Sequence, residues 1–390
     1  MLYLHIPYCK QACTYCNFHF STSMATRPGV LASITKELRL RRVELPAGPV
    51  PSIYFGGGTP SLLTKKELAA IFATLREEAY WGAAAGAKSV EITLEANPDD
   101  LDERTIATLA NSPVNRLSIG IQSFHETDLR FMNRAHTAAE ARTAVEKVNR
   151  AGFHDVSVDL IYGGQTTTDE MWAENLRIAT DLGVTHISAY ALTVEPRTAL
   201  GVQVAKGKVP DTDDAKFQRH FAMLVDHLTA AGYRHYEISN FCLPGHASKH
   251  NSGYWSGQPY LGIGPGAHGF DGQHRRRWNV SSNATYARAL AEIDLVEEYR
   301  AARGFLYEEE ELTETDRYNE FIMTGLRRDL GVSVAELTER FGAKRAAYFV
   351  ASQQENIAAG YFRAGTPEAF RLSRAGLMLA DGIAGDGFIA

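Results

Sequence analysis

Three of the four cysteines in this 390-residue chain, Cys9, Cys13 and Cys16, fall in the stretch LYLHIPYCKQACTYCNFHF, residues 2–20, spaced CxxxCxxC after an apolar run that reads as a strand. Thiolate sulfur binds soft metals and iron–sulfur clusters, and a strand-to-loop transition can hold several sulfurs within reach of one such group. A cubane cluster held by three cysteines keeps one iron free for an external ligand. Zinc is the competing occupant, because it also takes three cysteines and a histidine, and His5 and His19 are near in sequence. Plain packing of three thiols is the third reading. A disulfide fits less well, since clustered cysteines without a secretory leader point to a reducing compartment, here the cytoplasm.

The elements that must position this loop are legible from hydrophobic periodicity. Apolar strands are predicted at Ser52–Gly58, Ser89–Asn97, Arg116–Ser123, Asp155–Gly163 and His186–Val194, after the strand that precedes the cysteines. Helices are predicted between them at Val30–Leu45, Thr64–Tyr80, Leu101–Asn111, Ala138–Ala151 and Asp169–Leu182. The strands are apolar nearly throughout, as parallel strands covered on both faces are. Six β/α units fall short of the eight that close a TIM-type barrel, so the expected fold is α/β, an open partial (β/α)6 barrel, with a doubly wound sheet as the alternative. Either architecture puts a site at the C-terminal strand ends, where the cysteines, GGGTPS (Gly56–Ser61), Glu95, Gln122 and Asp159 all sit. Glycines there let a ligand approach the backbone.

Beyond Val194 the alternation stops. A helix at Asp213–Ala231 is followed by YRHYEISNF and an irregular Gly-, His- and aromatic-rich stretch, Cys242–Phe270, expected to cover the barrel mouth. Further helices at Thr313–Leu330, Val334–Phe341 and Ala343–Ala359, then a small hairpin and a last helix, suggest a winged-helix-like C-terminal domain. The expected division is 1–195, 196–306 and 307–390. The charge runs Glu308–Glu311 and His274–Arg277 read as solvated segments, and the net charge of −6 gives no footprint for nucleic acid. No apolar run approaches the roughly 20 residues that span a bilayer, so membrane association would come only through a partner.

In order along the chain, YLHIPYCKQACTYCNF, FGGGTPS, LEANP, GIQSF, MNRAH, VDLIYG and AYALTVEP resemble the radical S-adenosylmethionine (SAM) proteins. Within them the likeness is to the branch of oxygen-independent coproporphyrinogen III oxidases and HemW haem chaperones, over nearly the whole chain. The resemblance implies that Cys9, Cys13 and Cys16 hold a [4Fe–4S] cluster whose fourth iron binds SAM, with reductive cleavage giving a 5′-deoxyadenosyl radical. It implies that Tyr3, Tyr15, Gly57, Gly58, Thr59 and Glu95 line the nucleotide site, and that Gln122, Arg134, Asp159 and Ala191 contact SAM. Gln122 and Asp159 could equally satisfy strand-end backbone groups, and Arg134 could be a surface ion pair.

The chain departs from the family pattern at two places, and the second separates the branches. After Asp159 the chain runs LIYGGQTT, two residues shorter than the family's usual Gly-Leu-Pro-Gly-Gln turn, so the loop must be tighter. The oxidase motif is CxxxCxxCxC, and its fourth cysteine position is Phe18 here, as in the chaperones. HNSGYW, His250–Trp255, matches the chaperone motif HNxxYW, whose histidine is implicated in haem binding; His246 is a rival iron ligand. The sequence therefore favours a haem-holding protein that hands haem to haemoproteins, with the oxidase, acting on a porphyrinogen, as runner-up and a plain electron carrier third. It is silent on oligomeric state.

Overall fold

The six predicted β/α units form: β1 (Leu2–Ile6), β2 (Ser52–Gly57), β3 (Glu91–Ala96), β4 (Arg116–Gln122), β5 (Asp155–Tyr162) and β6 (His186–Ala191) pair in sequence order, all parallel. The structure is a computed structural model that describes residues 1–81, 90–364 and 368–390. Ser89, the expected start of β3, lies outside the described residues. In β4 every residue but the last is buried, which is why the run RLSIGIQ reads as apolar. Helices Lys65–Glu77 and Ala138–Arg150 start at capping boxes, Thr64 with Glu67 and Thr137 with Glu140, which supply partners for otherwise orphaned N–H groups. The first helix runs Arg27–Arg41, three residues earlier than predicted at its start, because Pro28 suits a first turn.

The sheet extends past the units read from sequence. β7 (Arg234–Glu237) and β8 (Asn240–Cys242) form a hairpin whose second strand runs antiparallel to β6, and β9 (Leu261–Ile263) adds a parallel strand beside β1. The nine-stranded order β7-β8-β6-β5-β4-β3-β2-β1-β9 leaves β7 and β9 as edges, so the barrel is open. The stretch expected to be irregular thus contains regular structure: the helix Lys249–Trp255, β9, and β10 (His268–Phe270).

The two charge runs are not merely solvated. β11 (Arg275–Asn279) pairs antiparallel with both β10 and β12 (Tyr307–Glu311), placing Arg275, Arg276 and Arg277 opposite Glu311, Glu310 and Glu309. Opposite charges across a ladder support its register, and Arg276 also pairs with Glu320. Residue 307 therefore opens a strand whose partner lies before it in the chain.

The first helix is tied to this region through one carboxylate. Glu37 is fully buried and accepts from Arg41 Nη1 (3.1 Å), Asn279 Nδ2 (2.8 Å), Tyr299 OH (2.7 Å), Tyr286 OH (2.6 Å) and the Gly264 N–H (2.9 Å). Arg41 in turn donates to the Gly262 carbonyl at 2.6 Å and to Glu44.

In the C-terminal region, helices Glu314–Leu326 and Val334–Ser352 pack around Tyr318, Ile322, Leu326, Leu337 and Phe349, and β13 (Val332–Ser333) pairs with β14 (Ala369–Phe370). Gly342, at φ 85°, breaks the second helix where the sequence divides it. Where a small hairpin is expected, Phe362 and Leu372 form an antiparallel bridge; residues 365–367 lie outside the described residues. The region docks on the β7–β8 hairpin, with the Ile238 N–H donating to the Arg327 carbonyl at 2.9 Å and the Asp329 N–H to the Tyr236 carbonyl at 3.1 Å. Among the described residues no helix is long and apolar enough to cross a membrane.

Candidate functional site

After β1 the chain loops outward and returns, with the Ser21 N–H donating to the Pro7 carbonyl (2.8 Å) and the Cys9 N–H to the Ser21 carbonyl (3.0 Å). Remote segments pin the loop between. Asn133, held at φ 54°, donates through Nδ2 to the Ala12 carbonyl (2.7 Å) and accepts from Gln11 Nε2 (2.9 Å), while the Thr14 N–H reaches the Met132 carbonyl (3.1 Å). On the other side Lys10 pairs with Asp99 (2.9 Å) and Asp100. The MNRAH segment is thus a clamp on the cysteine loop, and the left-handed conformation of Asn133 is part of its shape.

The clamped loop presents Cys9, Cys13 and Cys16, all free thiols, to a cavity of about 480 Å³ at the C-terminal strand ends. Burial pushes the Cys9 thiol up to about 11, and its Cys16 and Cys13 neighbours add to the shift. Three thiolates this close need a positive partner, and a bound metal group reverses the balance. Arg134 supplies one positive charge, donating to Cys13 Sγ (3.3 Å), Asn97 Oδ1 (2.6 Å) and the Gly120 carbonyl (2.7 Å). It is half-buried in the cavity wall, not a surface ion pair. The fourth cysteine, Cys242, is buried on β8 and does not line this cavity.

The sheet contributes the rest of the lining by alternation. Thr93 and Glu95 of β3, Arg116, Ser118 and Gln122 of β4, Ser157 and Asp159 of β5, and His186, Ser188 and Tyr190 of β6 face inward at two-residue spacing. Sequence reading missed most of these, yet the signal was present as polar residues at every second position of otherwise apolar strands. Gln122 adopts φ 67° at a bulge between β4 and β5, a conformation that costs ~1–3 kcal/mol and marks a functional position. After β5 the chain turns at once through Gly163, at φ 75°, the tight loop that the shortened motif requires.

Glu95 accepts from Tyr54 OH (2.8 Å) and the Gly57 N–H (3.1 Å), and Asp159 from Ser118 Oγ (3.2 Å). Burial raises Glu95 to about 7 and Asp159 to about 6, leaving two acids that a cationic ligand group would ionise. A carboxyl raised by folding binds its proton more tightly in the native state, so its stabilising contribution is present at low pH and lost as pH rises. The ligand-free protein is expected to lose thermal stability from pH 4.5 towards 7, and Glu95→Gln to flatten that slope. An unchanged slope in the variant would place the titration elsewhere.

The glycines that line the cavity also serve the packing of the strand ends. A Cβ on Gly58 would lie 2.7 Å from the Tyr8 backbone and 2.8 Å from the Ile6 carbonyl oxygen, while one on Gly57, at φ 106°, would strike the His5 ring at 2.5 Å. Their bareness lets β2 cross the end of β1, where the Gly58 N–H donates to Ile6 at 2.9 Å. Gly58→Val is therefore expected to cost at least ~1–3 kcal/mol of stability through overpacking against backbone. A variant with unchanged thermal unfolding but weakened nucleotide binding would restore the ligand-contact reading.

A second cavity, of about 1070 Å³, adjoins the first and shares Asn17, Phe18, Tyr190 and Asn251 with it. Tyr3, His5, His19, Tyr254, Trp255, Tyr260, His268 and Phe270 line it, with Arg276, Arg317, Arg328 and Arg340. Phe18 stands 69% exposed at the junction. His5 and His19 face this space; Nε2 of His5 bonds the His19 carbonyl (2.8 Å) and Nε2 of His19 bonds Asn283 (2.8 Å). Among the described residues no three His, Cys, Asp or Glu groups are placed to hold a single metal ion.

Of the residues singled out in the sequence, Cys9, Cys13, Cys16, Tyr15, Gly57, Gly58, Thr59, Glu95, Gln122, Arg134, Asp159 and Ala191 meet in the first cavity. Tyr3 lines the second, its hydroxyl on His5 Nδ1 at 3.1 Å. His250 lines neither. It is 1% exposed, with Nδ1 on Ser52 Oγ and Nε2 on Tyr254 OH, both at 2.9 Å, and burial lowers it to about 3. Both ring nitrogens are taken, so the expected iron ligand is instead a strut joining the helix Lys249–Trp255 to β2. Asn251, Tyr254 and Trp255 of the same motif do face the large cavity. His246, the rival, is bonded to Asp155 and lines neither cavity.

Residues 3–179 match the radical SAM superfamily and residues 312–379 the HemN C-terminal domain. The heme chaperone HemW of Mycobacterium tuberculosis is 38% identical over 295 residues, covering 74% of each chain; that of Lactococcus lactis is 32% identical over 341 residues, covering 87% of this chain and 84% of its own. The chain belongs to the HemW family of radical SAM proteins. Membership of the superfamily implies a [4Fe–4S] cluster and SAM. The HemW family shares its fold with the coproporphyrinogen III oxidase HemN of Escherichia coli, which superposes with a TM-score of 0.82 at 20% identity over 99% of this chain and 89% of that one. The mitochondrial radical SAM domain-containing protein 1 of mouse is 37% identical over 270 residues, 69% of this chain and 60% of its own.

Proposed function

We propose that this chain is a cytoplasmic haem chaperone: it holds haem beside a [4Fe–4S] cluster and SAM, and delivers it to recipient haemoproteins. The observation that carries this reading is the large cavity lined by aromatics, imidazoles and guanidiniums, opening at Phe18 onto the cavity of the three thiols. At about 1070 Å³ it reaches the top of the ~300–1,000 Å³ range usual for ligand sites, as a macrocycle requires. Cys9, Cys13 and Cys16 fit a cluster, being free thiols gathered on one cavity with the guanidinium of Arg134 beside Cys13. When bound, the cluster supplies one-electron chemistry to SAM.

The chain's own residues place and shield those groups. Arg134 offsets thiolate charge and orders the loop through Asn97 and Gly120. Glu95 and Asp159 receive positively charged ligand groups, and the buried Thr93 Oγ1, which has no partner among the described residues, is a further polar contact for the nucleotide. Tyr3, Tyr15, Gln122 and Ala191, with the turn Gly57–Thr59, complete the walls. The proposed units are 1–195 for this site, 196–306 for the cover over it and 307–390 for the C-terminal part.

Reconstituted protein, assayed against haem and coproporphyrinogen side by side, tests the reading. Haem binding with negligible decarboxylation is expected, because Phe18 occupies the oxidase's fourth cysteine position. Vigorous conversion of coproporphyrinogen to protoporphyrinogen would reject it in favour of the oxidase.

A further inference from the structure

Three histidines line the large cavity, and they differ in what their nitrogens are doing. Both nitrogens of His5 are engaged, by Tyr3 OH (3.1 Å) and the His19 carbonyl (2.8 Å). His19 has one nitrogen on Asn283 and its ring stacked 6.0 Å from that of His5. His268 is exposed to the cavity and neither of its nitrogens has a hydrogen-bond partner among the described residues. Its backbone, by contrast, is fixed. It sits on β10 opposite Trp278 of β11, whose ring stacks 6.0 Å from its own, and Gly262 of β9 has no room for a Cβ against the His268 backbone. A rigidly mounted imidazole with a free lone pair over an apolar cavity is what iron ligation needs.

The same cavity carries charge suited to the carboxylates at one edge of a haem. Arg328 is partly buried, has no ion pair or side-chain hydrogen bond among the described residues, and its Nε is shut off from water with no partner among them. Arg317, exposed on the helix Glu314–Leu326 at the cavity, forms no ion pair among the described residues, whereas Arg276 and Arg340 are held by glutamates. A buried guanidinium without a partner is costly, and a carboxylate is its natural complement.

We propose that His268, not His250, is the axial ligand of haem in the large cavity, and that Arg328 and Arg317 receive the haem propionates. This rests on the haem-holding reading above and adds to it where and how the macrocycle sits. Oxygen-edge recognition by the C-terminal region and iron ligation from β10 would make haem a bridge between the two parts of the chain, so that their separation releases it.

The test titrates full-length wild type, His268→Ala, His19→Ala and His250→Ala with ferric haem and reads the Soret band, the electron paramagnetic resonance signal and thermal unfolding. His268→Ala should lose the histidine-ligated spectrum and at least ~10-fold in affinity, since even partners behind a metal ligand are worth ~10–100-fold. Added imidazole should restore the spectrum, which it would not do for a merely structural residue. His250→Ala should lower thermal stability and leave the haem spectrum alone. Arg328→Gln should weaken haem but not haem dimethyl ester; equal weakening of both would remove the propionate role. Loss of ligation in His19→Ala or His250→Ala with an unchanged His268→Ala spectrum would overturn the ligand assignment while leaving the chaperone reading intact. No haem binding by wild type would overturn both.

Discussion

Replacing Cys9, Cys13 or Cys16 singly by alanine is expected to take reconstituted iron from about four per chain to near zero, while Cys242→Ala leaves it unchanged. The three thiols share a loop that is pinned at Gln11, Ala12 and Thr14 by the Met132–Asn133 segment, so none can be replaced by a shift of its neighbours. Cys242 is buried on β8 and does not reach that cavity. Arg134→Met should produce a milder version of the same defect, because it leaves the ligands but removes the guanidinium bonded to Cys13 and the tie through Asn97 to the strand ends. Iron and sulfide analysis with the visible spectrum of the reconstituted protein checks all of these. Retained cluster in Cys13→Ala, or stoichiometric zinc in the wild type, would remove the cluster assignment.

How far the sequence led depended on whether the physics was local. The six β/α units were legible because the strands are largely buried and the four predicted helices after the first carry side-chain caps, at Thr64, Asp102, Thr137 and Thr168, so hydrophobic period and length settled the type. The cysteine loop and the strand-end positions of Glu95, Gln122 and Asp159 followed from the same reading. What it missed is tertiary. β9 is three residues long, too short for any period, and exists because β1 offers a free edge. Arg275–Arg277 and Glu309–Glu311 look solvated when read separately, and only their pairing across some thirty residues of chain makes them a ladder. Gly58 looked like a place for a ligand, and no local pattern shows that its missing side chain also makes room for the backbone of Tyr8. His250 sat in a motif that pointed to iron, but no local pattern says which way an imidazole turns, and Ser52 and Tyr254 hold both its nitrogens.

Glu37→Ala is expected to be among the most destabilising single substitutions in the chain, and nothing in the sequence marks it. The carboxylate accepts from Arg41, Asn279, Tyr286, Tyr299 and the Gly264 N–H, so its removal strands donors from five separate positions in a fully buried site. Breaking a buried ion pair by deleting one member costs ~3–5 kcal/mol, and each stranded donor adds its own desolvation penalty. Arg41 keeps Glu44 and the Gly262 carbonyl, which argues for the lower part of that range for the charge alone. The loss should not be felt evenly. Gly262, Gly264 and Asn279 belong to the segment that mounts β9, β10 and β11, and therefore His268, against the barrel. Hydrogen exchange in the variant should accelerate first across residues 261–279, and haem affinity should fall before the thiol cavity loses its cluster. Denaturant unfolding alongside exchange decides it: a midpoint equal to that of wild type would show that these five bonds balance the cost of burying the charge.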